Sequence, residues 1–156
     1  MESQNFYVCR IQADIKNLRG TVDGVLEYFE KVYGAMDESS HLELRVILNE
    51  LLINAIKHGG KGDETRYVKV VAGMTNDEYA LLVVEDDGEG YDSTLLTQCR
   101  AIGRSANGIL SEAEIEETGR GIFIVKNLCE DFMVNEKGNK VVINKRLHHT
   151  DPPQKN

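Results

Sequence analysis

The sequence predicts an α+β domain, a two-layer α/β sandwich in which helices cover one face of a mixed, mainly antiparallel sheet. Three observations predict it. The β-rich runs YVKVVAG and YALLVVED flank a short polar turn, and FMVNE and KVVINKR meet around Gly138, which is the pattern of two antiparallel hairpins. Two longer stretches repeat apolar residues at helical spacing. The elements run β-α-α-β-β-loop-α-β-β, so each hairpin follows a helix able to cover it.

Phe6 to Gln12 alternates as a first strand. Ile15, Leu18, Val22, Val25, Leu26, Phe29, Val32 and Tyr33 then recur as one helical face, with Asp14 placed to cap the helix and Gly34 to end it. A second helix is expected from about Ser40 to His58, opened by Ser40 and Glu43 in the S-x-x-E capping pattern. Leu44, Ile47, Leu48, Leu51, Leu52 and Ala55 gather on one side of it, and Val46, Ile53 and Ile56 make the far side apolar too. Such a helix is largely buried, yet Glu43, Glu50, Asn54, Lys57 and His58 fall within an arc of roughly 100°. A carboxylate and a carboxamide one turn apart are suited to holding a hydrated cation and orienting a nucleophile beside it. A partly exposed helix edge that merely meets water would look the same at this stage.

After the first hairpin comes a polar segment from Tyr91 to Thr118, patterned only by a short helix at about Ser93 to Arg100. Segments of this length inside a compact domain are usually functional or disordered. A third helix is expected from about Ile122 to Leu128. The end of the chain, HHTDPPQKN, reads as a disordered tail over 148–156, with His148 and His149 in solvent, leaving a single domain over 1–147.

At 156 residues and 41% apolar content, the chain has the size and composition of one soluble globular domain. The net charge of −8 argues against a protein that tracks a nucleic-acid backbone. No apolar run reaches membrane-spanning length, and MESQNFYVCR lacks a secretory pattern, so a cytoplasmic protein without membrane contact is expected. Cys9, Cys99 and Cys129 are too widely spaced for a zinc or redox pair and are expected to be reduced thiols.

Two glycine clusters stand at element ends. VVEDDGEGYD finishes a strand on Asp86-Asp87-Gly88-Glu89-Gly90, which lets a ligand approach the backbone while a carboxylate accepts a hydrogen bond from it. ETGRGIFIV sets Gly119 and Gly121 before a helix, where free amides and the positive helix end favour a phosphate. Each alone is equally a tight turn. The P-loop and the dinucleotide fingerprint G-x-G-x-x-G are both absent, and Gly103-Arg104-Ser105 does not complete a hydrolase elbow.

Taken together, E-x-x-x-N-A-x-x-H-G at 50–59, D-x-G-x-G at 86–90 and G-x-G at 119–121 resemble the GHKL (histidine-kinase-like) ATP-binding domains, over nearly the whole chain. Within that family the length, the lone domain and the N-terminal strand and helix look most like the bacterial anti-sigma-factor serine-protein kinases. The resemblance implies ATP and Mg2+ as ligands. It implies Glu50 as the carboxylate that activates a hydroxyl or water, and Asn54 as the magnesium ligand. His58 falls with them in the first nucleotide-binding box. Asp86 would accept from the adenine amino group, with Gly88 and Gly90 shaping the pocket floor. Gly119, Arg120 and Gly121 would form the second glycine box, and residues 91–118 the lid over the phosphates.

The implied activity is phosphorylation of a small regulatory protein of the anti-anti-sigma type, together with binding of a sigma factor; a homodimer is compatible with it. Two alternatives remain open: a non-catalytic ATP-dependent binding switch, and a detached histidine-kinase catalytic domain. One departure concerns the last box, often Gly-Thr in the family, which is Gly138-Asn139 here. His41-Leu42-Glu43-Leu44-Arg45 faintly resembles a histidine phosphoacceptor motif, but it lies on the same helix as Glu50 with no separate dimerisation domain before it.

Overall fold

The computed structural model describes residues 6–59, 66–87 and 120–150. Strand β1 (Tyr7–Gln12) leads through a 3-10 turn (Ile15–Asn17) into α1 (Leu18–Val32), followed by α2 (Glu38–Asn54) and a π-helical turn (Ala55–Gly59). The hairpin β2 (Tyr67–Met74) and β3 (Tyr79–Asp86) follows, then α3 (Arg120–Leu128), β4 (Asp131–Val134) and β5 (Lys140–Arg146). The five strands lie in the order β1-β2-β3-β5-β4, and every pairing is antiparallel, so the parallel component of the expected mixed sheet is absent among the described residues.

The core is a seam between helices and sheet. Val22, Val25, Leu26 and Phe29 of α1 and Leu44, Ile47, Leu48 and Leu52 of α2 are buried. They meet Val68, Val70, Ala72, Ala80, Leu82, Val84 and Ile143, which are the alternate residues of three neighbouring strands. Burial of side chains this size is the main favourable term in folding, at about 1.5–3 kcal/mol for each fully buried aliphatic or aromatic residue.

Several local expectations are corrected. Ser40 does not cap α2: the helix starts at Glu38, and the Asp37 carboxylate accepts from the Ser40 amide at 2.8 Å. The Ser40 hydroxyl instead accepts from the amide of His148, at 2.8 Å. Asp14 caps the 3-10 turn ahead of α1, accepting from the Lys16 amide, while Gly34 follows the end of α1 at φ 105° as expected. The tail does not begin at 148. His148 accepts from the Asp37 amide, His149 bridges to Met36 and stacks on Tyr33 with ring centroids 3.9 Å apart, and Thr150 bonds to Ala35 and Met36. His149 is therefore a packing residue that ties the chain after β5 to the start of α2. Residues 151–156 lie outside the described residues.

Cys9 and Cys129 are free thiols. Burial and the neighbouring Glu130 push Cys129 up to about 11, which keeps it protonated and unreactive.

Candidate active site

The long helix predicted to end at His58 changes pitch before it gets there. α2 ends at Asn54, and Ala55–Gly59 winds as a π-helical turn packed against β3 and β2. Wider turns of this kind recur at functional sites because they re-aim the side chains around them. Here the change falls between Asn54 and His58, within the first motif box.

α3 packs across α2. The contact brings the second glycine box against the first: a Cβ added at Gly121 would run into the Glu50 carboxylate and would lie 3.9 Å from the Asn54 carboxamide nitrogen. Glycine at 121 is thus what lets the first turn of α3 approach Glu50. Asn54 is buried at 5% exposure, while Glu50 is half-buried. A carboxylate, a carboxamide and a helix N-terminus therefore converge on one spot. The first two supply oxygen ligands or a proton acceptor, and the third supplies amide donors and positive potential.

The expected polar strip is not continuous. Glu43 turns to the sheet and accepts from Lys145 at 2.6 Å, where the lysine side chain is 7% exposed. Glu43 therefore balances a buried cation in the core and does not join the cluster. Lys57 is exposed.

Asp86 ends β3 on the helix-facing side, in alternation with Leu82 and Val84, and is buried at 4% exposure. Its main chain is clamped. The Asp86 amide donates to the Asn139 carbonyl at 2.9 Å, and the Asn139 carboxamide donates to the Asp86 carbonyl at 2.8 Å. Asn135 holds Asn139 in turn, donating to its side-chain oxygen at 2.8 Å and accepting from the amides of Asn139 and Lys140. Gly138 sits between them at φ 78°, a left-handed conformation that glycine adopts without strain. The departure from Gly-Thr thus places at 139 a side chain that fastens the strand end carrying Asp86. Asn135 was missed in the sequence; an Asn three residues before a glycine turn was its signal.

On the other side of the same strand end, the Asp87 carboxylate accepts from the Tyr67 amide at 3.0 Å, and Arg66 donates to the Asp87 carbonyl. A cleft of about 520 Å3 opens here, lined by Val8, Arg10, Tyr67, Lys69, Glu85, Lys137 and Asn139 among others. Asp86 and Asp87 line it too, so the cleft combines side chains of the sheet face away from the helices, Val8, Arg10, Tyr67, Lys69 and Glu85, with the strand end that carries Asp86.

Of the predicted site residues, Glu50, Asn54 and Gly121 come together, and Asp86 stands at the end of the strand against which the π-helical turn packs. His58 lies within that turn and Arg120 opens α3. Gly88, Gly90, Gly119, the expected lid over 91–118 and its short helix lie outside the described residues.

The histidine kinase-like ATPase domain family matches residues 11–145. An anti-sigma F factor from Clostridium perfringens is 27% identical over 109 residues, covering 68% of this chain and 72% of that protein. One from Shouchella clausii is 29% identical over 111 residues, covering 69% and 70%. The sensor histidine kinase YvrG of Bacillus subtilis is 34% identical over 99 residues, covering 64% of this chain but 16% of that protein. The solved mycobacterial sensor histidine kinase MprB aligns with a TM-score of 0.48 and 15% identity, covering 95% of this chain and 100% of that one.

An antiparallel sheet under three helices, with motif boxes meeting at α2 and α3, defines a GHKL-type ATPase domain. The chain belongs to the histidine kinase-like ATPase family, and membership implies ATP binding. Among the described residues, no helix is long and apolar enough to cross a membrane.

Proposed function

We propose that the chain is an ATP-dependent serine-protein kinase of the anti-sigma type, which phosphorylates a small regulatory protein of the anti-anti-sigma kind and binds a sigma factor. The observation that supports the catalytic part is the close approach of Gly121 to Glu50 beside Asn54, which brings a carboxylate, a carboxamide and a helix N-terminus into one place. The similarity to anti-sigma F factors over more than two thirds of both chains supports the choice of substrate and partner.

In this reading Asp86 accepts a hydrogen bond from the adenine amino group, and the Asn135–Asn139 clamp keeps its strand end from shifting. The first turn of α3 faces the phosphates with its free amides. Asn54 offers a neutral oxygen of the kind that suits Mg2+, and no group of three or more acidic, histidine or cysteine side chains gathers among the described residues to form a protein cage for a metal. A magnesium ion here would complete its shell with phosphate oxygens and water, as is usual for that ion.

Glu50 takes the proton of the attacking serine hydroxyl as its oxygen bonds to the γ-phosphorus. The bond from that phosphorus to the β–γ bridging oxygen breaks, and ADP leaves with the electron pair. Positioning and charge neutralisation dominate such transfers, and a positioned base typically adds about 10²–10⁴-fold.

The test is incubation with labelled ATP, Mg2+ and a candidate regulatory protein. The expected product carries an acid-stable phosphoserine. Acid-labile label would assign the chain to histidine transfer, the chemistry named for the YvrG relative. ATP binding with no transfer to any protein would make it a nucleotide-gated binding module.

A further inference from the structure

At the end of β3, both neighbouring strands are joined by a side chain where a ladder would use backbone. In an antiparallel pair of the hydrogen-bonded kind, the two residues exchange both backbone bonds. On the β5 side only one is made: the Asp86 amide donates to the Asn139 carbonyl, but the Asp86 carbonyl accepts from the Asn139 carboxamide. The Asn139 amide, which a regular pair would use there, goes to the Asn135 side chain. The β2 side repeats the arrangement one residue on. The Asp87 amide donates to the Tyr67 carbonyl at 3.3 Å, whereas the Tyr67 amide donates to the Asp87 carboxylate at 3.0 Å and not to its carbonyl.

The carbonyl released in this way is taken up. The Arg66 guanidinium donates to it at 3.0 Å, and Arg66 is tied to the chain after β1, its own carbonyl accepting from the Ala13 amide at 2.8 Å. Tyr67 is steadied as well, by the Arg10 guanidinium 4.4 Å over its ring. β3 thus ends in two side-chain rungs, one on each flank. Asp86 lies between them, buried at 4% exposure and alternating with the helix-facing residues of the strand. An element's ends open locally at little cost unless they are fastened. Hydrogen bonds weaken steeply as their geometry degrades, so a carboxylate that must meet one group of a bound base needs a strand end that stays put.

We infer that Asp87 is a positioning residue for base recognition: its carboxylate, by closing the rung to Tyr67, fixes the strand end from which Asp86 meets the amino group of adenine. Asn139 holds the same strand end from the opposite flank. The inference rests on the reading of Asp86 as the acceptor of that amino group, and adds to it a residue that is itself exposed. The rung needs an acceptor and not a charge, so the carboxamide oxygen of asparagine can replace the carboxylate.

Titration calorimetry with ATP and with inosine triphosphate, each with Mg2+, tests it, because inosine has an oxo group where adenosine has the amino group. The wild-type chain is expected to prefer ATP by at least ~10-fold, the worth of a hydrogen bond to a charged acceptor. Asp87→Ala is expected to narrow that preference by ~3-fold or more as the geometry at Asp86 loosens. The narrowing should come from weaker binding of ATP, with inosine triphosphate bound about as well as before and the melting temperature little changed at so exposed a position. Asp87→Asn should keep the wild-type preference. An Asp87→Ala variant with the wild-type preference overturns the inference even if both affinities fall together, since that is all a merely structural residue would do. Asp87→Asn behaving like Asp87→Ala overturns it too. If Asp87→Ala does not fold, Arg66→Met, which takes the donor from the Asp87 carbonyl, carries the test: a narrowed preference supports the inference and an unchanged one overturns it. A wild-type chain that binds ATP without preferring it overturns the reading of Asp86 itself, and the inference with it, before any change at Asp87 is made.

Discussion

Replacing Gly121 by alanine separates the two things this residue does. The added Cβ would enter the space held by the Glu50 carboxylate, with the Asn54 nitrogen at an ordinary 3.9 Å beyond it. The obstructing group is the far end of a flexible side chain and not backbone, so the fold can yield by rotating Glu50 away. Alanine also recovers about 0.5–1 kcal/mol of helix propensity over glycine. Stability should therefore hold or rise slightly, by about 2–4 °C in melting temperature at most for a chain of this size. Activity should not hold, because moving a reacting group by about 1 Å costs on the order of 10²-fold in rate. Melting curves read the first effect and single-turnover phosphotransfer at saturating ATP reads the second. A large loss of stability would mean that α3 cannot adjust around Glu50, and an unchanged rate would mean that this carboxylate does not act on the reacting hydroxyl.

Three further outcomes follow from the geometry. Asp86→Asn should weaken ATP affinity while leaving the melting temperature of the free protein close to wild type, since an amide can turn a donor toward the adenine amine; titration calorimetry showing equal affinity would place the adenine elsewhere. Glu43→Gln should be strongly destabilising, near the low end of about 3–5 kcal/mol because Glu43 is itself 36% exposed, whereas Lys145→Met, which removes the buried charge, should cost much less. Urea unfolding of both variants checks the order, and the reverse order would contradict it.

The Asp37 carboxyl is held below its ordinary value of 3.8, chiefly by the hydrogen bond from the Ser40 amide. A depressed folded pKa gives stability that is fully present above that ordinary value and lost as pH falls through the folded pKa. Asp37→Asn keeps the cap without titrating, so its acid-side loss of melting temperature should be shallower than that of wild type; identical slopes would remove Asp37 from the acid response.

The parts of the fold visible in the sequence were those fixed by local chemistry. The hairpins around Asn76-Asp77-Glu78 and Gly138 announced themselves by turn residues between β-rich runs, and Gly34 took the left-handed conformation that its position after α1 implied. The misreadings were tertiary. Both D-x-x-S at 37–40 and S-x-x-E at 40–43 fit a helix start; Asp37 takes the cap, and the Ser40 hydroxyl accepts from the amide of His148, 108 residues away. Glu43 had the right helical angle to join Glu50, yet a lysine 102 residues later claims it. His149 reads as tail until Tyr33 is seen stacked on it. In the candidate site, residue types and spacing named Glu50, Asn54, Asp86 and Gly121, but helical periodicity could not reveal the π-helical turn after Asn54. Nor could it show that Asn139, apparently a departure from the family pattern, clamps the backbone of Asp86.

The most direct test of the phosphoryl-transfer account is a paired measurement on Glu50→Gln: ATP affinity in the presence of Mg2+, and the single-turnover rate of transfer to the regulatory protein. Glutamine keeps the shape of the side chain and removes its ability to take a proton. The account predicts nearly unchanged affinity with a rate lower by about 10²–10⁴-fold. A variant that binds ATP normally and transfers phosphate at the full wild-type rate would contradict it, leaving Glu50 as a polar edge of α2.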